Sequence, residues 1–444
     1  MPLPEDIQKK KAAGDLAGVF RAIQARLANH PSAVLRDRLE LEAERLRRLP
    51  ALYPWDRETA LRKTRELIPG MTEDRFDALE DAGRVNFIWL NGEKRYFNRM
   101  HKTLALFPDL TGKPAEPVNP WLDPVISAIR EKGSLRQRIT LEASITLEPD
   151  AFVPGDYTVH LPYPIPCAQQ RNITLLAGDP DLITDESAEA RTAVWHRHLD
   201  KPETFAIRYS YESAIRYADP LHQPAPDAPL YPDELPPTEK DLSEDGGWIR
   251  FSAWARDLCR EIIGDETDPA KKAWLIYDYV TSHVNYSFMP DYFLLDDPAA
   301  HCALNGTGDC GLQALMFITL CRVAGVPARW QSSLCVEEEE AGSHDWAQFW
   351  LDGWGWLFAD PSFGGSAFRN GNESRRAFYF GNLDPMRMVA CRRFGAPFSV
   401  PLGTVRADPT DNQSGEIARA GAEFPFAERD LDNNTRTISV ETLD

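Results

Sequence analysis

Leu16, Val19, Phe20, Ile23 and Leu27 recur every three or four residues, and VLRDRLELEAERLRRL (34–49) repeats that spacing. Each segment presents one apolar stripe, which predicts amphipathic helices. The period changes in VNFIWLNGEKRYFN (85–98), where Asn91-Gly92 separates two apolar runs. A type I′ turn needs positive φ at both central residues, so this segment predicts a β-hairpin. Residues 1–115 thus form a helical module with one hairpin, a pattern compatible with a winged helix. Farther along, Ile139, Leu141, Ala143, Ile145 and Leu147 alternate strictly with polar positions, as do Phe205, Ile207, Tyr209 and Tyr211. Each run has one face to bury. With shorter runs at 157–164, 173–177 and 193–199, the segment 116–218 predicts a small β-sandwich.

Seven prolines fall between positions 220 and 237. Proline fixes φ and removes a donor, so 219–245 reads as an extended connector and a domain boundary. Helix and strand patterns then alternate over 246–395. Segments 248–263, 269–284 and 310–325 are helical, the second with Asp268 as cap before Pro269 and the third ending at Gly325 and Pro327. Segments 328–336 and 344–360 read as strands, the latter folded at Asp352-Gly353. Beyond 396, the pieces 398–402 and 436–443 predict C-terminal strands packing on the body.

Composition narrows the function. Lys and Arg number 49 and Asp and Glu 68, for a net charge of −19. Residues 1–115 carry 21 basic and 17 acidic side chains (net +4), leaving 28 and 51 (net −23) for the rest. A body this acidic repels phosphate backbones, which argues against nucleic acid as a partner. The basic module suggests electrostatic docking onto the same chain or a neighbouring subunit, with FIWL (87–90), Tyr96 and Phe97 either its contact surface or the module's own core. No apolar run approaches the ~20 residues of a membrane span. The N-terminus has no apolar stretch behind its charges, so it predicts no secretory signal. Seven cysteines without a repeating interval do not form a disulfide framework. The expectation is a reduced, cytoplasmic protein that works without membrane.

The chemistry centres on GTGDCGLQALMFITLCRVAGVPAR (306–329). Cys310 opens an apolar helix, where unpaired backbone N–H groups and the helix dipole favour thiolate and can cradle an oxyanion. His344 opens an apolar strand and Asp360 closes the next, so pairing across Asp352-Gly353 brings both to one end of a sheet. There Asp360 could orient the imidazole and His344 could hold the Cys310 proton. Against this stand plainer roles: Asp309 as a helix cap, and Cys167, Cys259, Cys302, Cys321, Cys335 and Cys391 as small core residues. Trp346, Phe349, Trp354, Trp356 and Phe358 read as sheet core. The histidines lack paired ligand spacing, and adjacent His301 and Cys302 do not readily share a zinc ion with Cys310.

These segments resemble the core motif of the transglutaminase-like superfamily: Gly-Asp-Cys on a helix, Arg322, Gly325, Pro327 and Arg329 after it, His344 with Trp346 on one strand, and Asp360-Pro361 ending the next. The resemblance spans about 145 residues, and the β module before it resembles the sandwich that often precedes this core in bacterial members. It implies an α+β, papain-like fold in which the cysteine helix packs on an antiparallel sheet. It also implies attack of a thiolate on an amide-type carbonyl, through an acyl-enzyme on Cys310 with His344 and Asp360 as partners and no cofactor. Tyr286 stands where the family often places an aromatic beside the nucleophile, which implies that its hydroxyl joins the Cys310 N–H in an oxyanion and substrate-binding site, with a core role as its alternative. Asp345 occupies a position that varies freely in the family. The calcium-ligand clusters of animal cross-linking members are missing, so calcium is not expected. The expected function is hydrolysis of peptide or side-chain amides. The alternatives are glutamine–lysine cross-linking and a non-catalytic protein-binding module.

Overall fold

A computed structural model describes residues 2–113, 119–422 and 425–443. They group into two compact units, the described parts of 1–116 with Tyr286–Leu295, and those of 117–285 with 296–444. The boundary expected near 115–116 lies outside the described residues.

In the smaller unit, helices Leu16–Ala28, Ala33–Leu52, Arg57–Leu67 and Glu73–Asp81 begin at Asp15, Ser32, Asp56 and Thr72. Each of these side chains accepts a hydrogen bond from a first-turn N–H that has no intrahelical partner. Strands Phe87–Leu90 and Glu93–Tyr96 form the hairpin, with Asn91 and Gly92 at φ +50° and +86° as a type I′ turn demands. Tyr96 and Phe97 are buried among Tyr53, Phe76 and Met100, with Phe87, Ile88 and Leu90 packed against that cluster, while Trp89 projects outward. These aromatics therefore build the module's own core. Tyr286–Leu295, assigned to the catalytic region from sequence, joins this unit. Phe288 donates its N–H to Thr103 Oγ1 and lies under the Arg99 guanidinium, and Arg45 and Arg48 cover Phe293.

The larger unit holds the sandwich and the α+β core. One four-stranded antiparallel sheet runs Glu416–Arg419, Gly155–Pro162, Thr192–Leu199, Leu182–Ile183. The other runs Leu431–Thr442, Ser134–Leu147, Thr204–Arg216, Gln170–Ala177. Ile139, Leu141, Ala143 and Ile145 pair with Tyr211, Tyr209, Ile207 and Phe205, so the alternation seen in sequence forms one apolar face. Trp195 meets Phe205, and Tyr163 meets Tyr209, between the two sheets. The C-terminal segment adds one edge strand to each sheet. The expected strand at 398–402 is absent; Phe398 there lies between the His160 ring and the Arg406 guanidinium.

The core is a five-stranded antiparallel sheet in the order Phe380–Gly381, Gly355–Ala359, Ala341–Leu351, Ala328–Val336, Arg387–Cys391. Helix Cys310–Val323 packs against strand Ala341–Leu351, with Phe317, Phe349 and Phe380 in ring contact. Residues 310–322 of this helix are all buried, which explains why its sequence is apolar all round rather than on one stripe. The proline-rich connector lies on this sheet. Leu230 donates to the Trp354 carbonyl, Trp356 Nε1 donates to the Leu235 carbonyl, and Glu234 pairs with Arg329 at 2.7 Å. Backbone bonds from Ile165 to Val389 and from Arg191 to Ala390 join the sandwich to the core strand. The connector therefore marks no boundary between compact units.

Candidate active site

Gly306, the short strand Thr307–Gly308 and Asp309 lead to Cys310 at the first position of its helix. Asp309 caps that helix by accepting from the Leu312 N–H. Gly308 is required by space, since a Cβ there would lie 2.9 Å from Leu312 Cβ and 3.0 Å from Cys302 Sγ. Two residues of the strand against which this helix packs, His344 and Asp345, are buried.

His344 Nε2 lies 2.8 Å from Asp360 Oδ2. The strand register explains this: Ala347 pairs with Ala359, so Asp360 leaves its strand close to the first half of the His344 strand. Asp360 then caps helix Pro361–Arg369, its Oδ1 accepting the Phe363 N–H at 2.9 Å. Arg387 Nη2 approaches the same Oδ2 at 3.1 Å and Asp384 Oδ2 at 2.7 Å, and its guanidinium lies over the Phe363 ring. Burial pushes the Asp360 carboxyl up, but His344, Arg387 and the Phe363 N–H outweigh it and hold it below the usual carboxylate range. Burial lowers His344 from its ordinary value of 6.5, against the pull of Asp360. An ionised carboxylate only accepts, so the neutral imidazole carries its hydrogen on Nε2 and leaves Nδ1 as the basic nitrogen.

The Cys310 thiol has a different partner. Its Sγ donates to Asp345 Oδ2 at 3.5 Å, and among the described residues no hydrogen bond joins it to His344. Asp345 Oδ1 accepts from Gln413 Nε2 at 2.5 Å. Burial, the charges of Asp345, Asp309 and Asp360, and only a partial offset from the Asp345 N–H push the thiol well above its ordinary value of 9.0. Burial and these three carboxylates work against the thiolate that the helix start was expected to favour.

The structure thus brings His344 and Asp360 together and sets Cys310 against Asp345. Tyr286 belongs to the smaller unit, where its ring meets Phe288, so the internal geometry of the larger unit does not include it. Sequence reasoning missed Asp345, Arg387 and Gln413. A signal existed for two of them, a charge inside the apolar runs HDWAQFWL and MRMVAC. All seven cysteines are free thiols. Among the described residues no group of three or more His, Cys, Asp or Glu side chains is arranged to hold a metal, and no helix is long and apolar enough to cross a membrane.

Known proteins bear on this geometry. The family model described as the transglutaminase-like superfamily matches residues 256–361. A solved structure of a candidate cysteine protease from Cytophaga hutchinsonii is similar at 13% identity and TM-score 0.45, over 70% of this chain and 91% of that one. The periplasmic domain of TgpA from Pseudomonas aeruginosa is similar at 16% identity and TM-score 0.26, over 58% of this chain and 96% of that one. No curated protein matches. The matched segment contains Cys310, His344 and Asp360, and residues 256–361 are a core of the transglutaminase-like superfamily.

Proposed function

We propose that this protein is a thiol acyl-transfer enzyme that attacks peptide or side-chain amide bonds through an acyl-enzyme on Cys310, with water as the usual acceptor. The observation that carries this reading is a thiol at the head of a buried helix, beside a sheet whose adjoining strands hold an imidazole nitrogen 2.8 Å from a carboxylate oxygen. In the proposed reaction Cys310 turns from Asp345 toward His344 and gives its proton to Nδ1. The sulfur attacks the amide carbon, and N–H groups at the start of the helix receive the developing oxyanion. The imidazolium, steadied by Asp360, then protonates the leaving amine, and a thioester remains. Water, deprotonated by His344, attacks the thioester and releases a carboxylic acid and the thiol.

The test is turnover of a peptide library followed by mass spectrometry. Wild-type protein should release new carboxyl termini or deamidated side chains, and Cys310→Ala should release none. Full activity in Cys310→Ala would overturn the reading. Adding a primary amine distinguishes the acceptors: amide products in place of acids would mark cross-linking instead of hydrolysis.

A further inference from the structure

We propose that Asp345 restrains the nucleophile: its carboxylate holds the Cys310 thiol as a hydrogen-bond donor, and Gln413 holds the carboxylate in place. The proposal rests on the reading of Cys310 as the nucleophile and adds to it a resting state that must be undone before reaction. Asp345 is only 1% exposed, and its two oxygens face two different elements. Oδ2 receives the Cys310 thiol at 3.5 Å and Oδ1 receives Gln413 Nε2 at 2.5 Å.

Gln413 is well placed to hold this arrangement because the residue before it is fixed to both neighbouring modules. Asn412 Nδ2 donates to the carbonyls of Arg191 in the sandwich and Ala390 in the core sheet, and the Asn412 carbonyl accepts from Ser333 Oγ. The segment that carries Gln413 therefore has little freedom to follow Asp345 if the carboxylate moves.

Three carboxylates around the thiol work in one direction. Asp309 faces it from its own helix, Asp345 from the adjoining strand and Asp360 from the next strand end. Asp411 faces Asp345 from the Gln413 segment, and Arg387 and His344 are engaged with Asp360. Loss of the Cys310 proton would place a fourth negative charge beside three carboxylates. The thiol also cannot hydrogen-bond to His344 while its one hydrogen is given to Asp345. Breaking the Asp345 contact is thus the step that arms the site. Asp345 acts through Cys310 as a positioning residue.

The test is the rate of Cys310 alkylation by iodoacetamide across pH, read by peptide mass spectrometry on the full chain. Circular dichroism and thermal midpoints identify the folded variants. Asp345→Asn keeps the shape and removes the charge. It should raise Cys310 labelling at pH 7 about tenfold or more and move the midpoint of the rate profile down by about one unit, since one unit of thiol titration is a tenfold change in thiolate. Gln413→Ala keeps the charge but frees the carboxylate, and should raise labelling about two- to fivefold. A folded Asp345→Asn whose profile superimposes on wild type would overturn the proposal. If that variant does not fold, Gln413→Ala decides: a rise supports the restraint and unchanged labelling overturns it. Raised labelling in proteins that turn over no amide would uphold the restraint and remove the acyl-transfer reading. Cys310-dependent turnover with superimposed profiles would remove the restraint alone.

Discussion

Asp345 and Asp360 are both buried carboxylates of one sheet, yet their surroundings give them opposite work. Asp360 Oδ2 meets an imidazole and a guanidinium, and Oδ1 meets a helix N–H. Asp345 meets a thiol and an amide. The first set favours a settled negative charge that can orient a base. In the second, the Asp345 charge lies beside the thiol and opposes its ionisation. Residue type and burial alone do not separate the two; the partners do.

The comparison breaks most severely when the cation is removed. Arg387→Met leaves Asp360 and Asp384 buried without their guanidinium, and should cost about 3–5 kcal/mol of stability by urea denaturation. A loss under ~1 kcal/mol would mean that the two carboxylates do not depend on Arg387. Asp360→Asn keeps the shape but loses the acceptor for Nε2–H. It should lower turnover about 10³–10⁴-fold, with much less effect on Cys310 labelling than Asp345→Asn.

Acid should separate the groups further. His344 is lowered from 6.5, so its neutral form is the one that folding favours. Its contribution to stability is complete above about 6.5 and is lost as pH falls from there through its lower folded value. The Asp360 carboxyl is also lowered, from 3.8, so its contribution begins to fail only as pH drops below that value. Because Cys310 is pushed above 9.0, kcat/KM should be flat from about pH 6.5 to about 9. An alkaline limb well below 8.5 would contradict the neutral pair. The smallest effect belongs to the cradle beneath the thiol: Gly308→Ala forces Leu312 or Cys302 aside and should cost about 1–3 kcal/mol, read as a lowered thermal midpoint.

Much of this was legible locally. The alternation at 139–147 and 205–211 predicts its own strand faces, and Asn91-Gly92 predicts the only turn that its two positive φ values permit. Cys310, His344 and Asp360 stand out because each ends or begins an apolar element beside turn residues. What stayed hidden depends on partners far away in the chain. Leu431–Thr442 pairs with Ser134–Leu147 across almost 300 residues, and no local pattern names that partner. The proline-rich connector reads as free chain because its bonds go to Trp354, Trp356 and Arg329. Asp345 reads as filler because Gln413 lies 68 residues on, and because a charge in an apolar strand does not announce whether it will meet a cation or a thiol.

The most direct test of the acyl-transfer account is the intact mass of the protein quenched in acid during turnover of an activated amide or ester substrate. The account predicts one acyl group per chain, mapped to Cys310 and absent from Cys310→Ala, accumulating in Asp360→Asn where thioester hydrolysis is slowed. Turnover with no adduct in any variant, or an adduct on another cysteine that persists in Cys310→Ala, would contradict it.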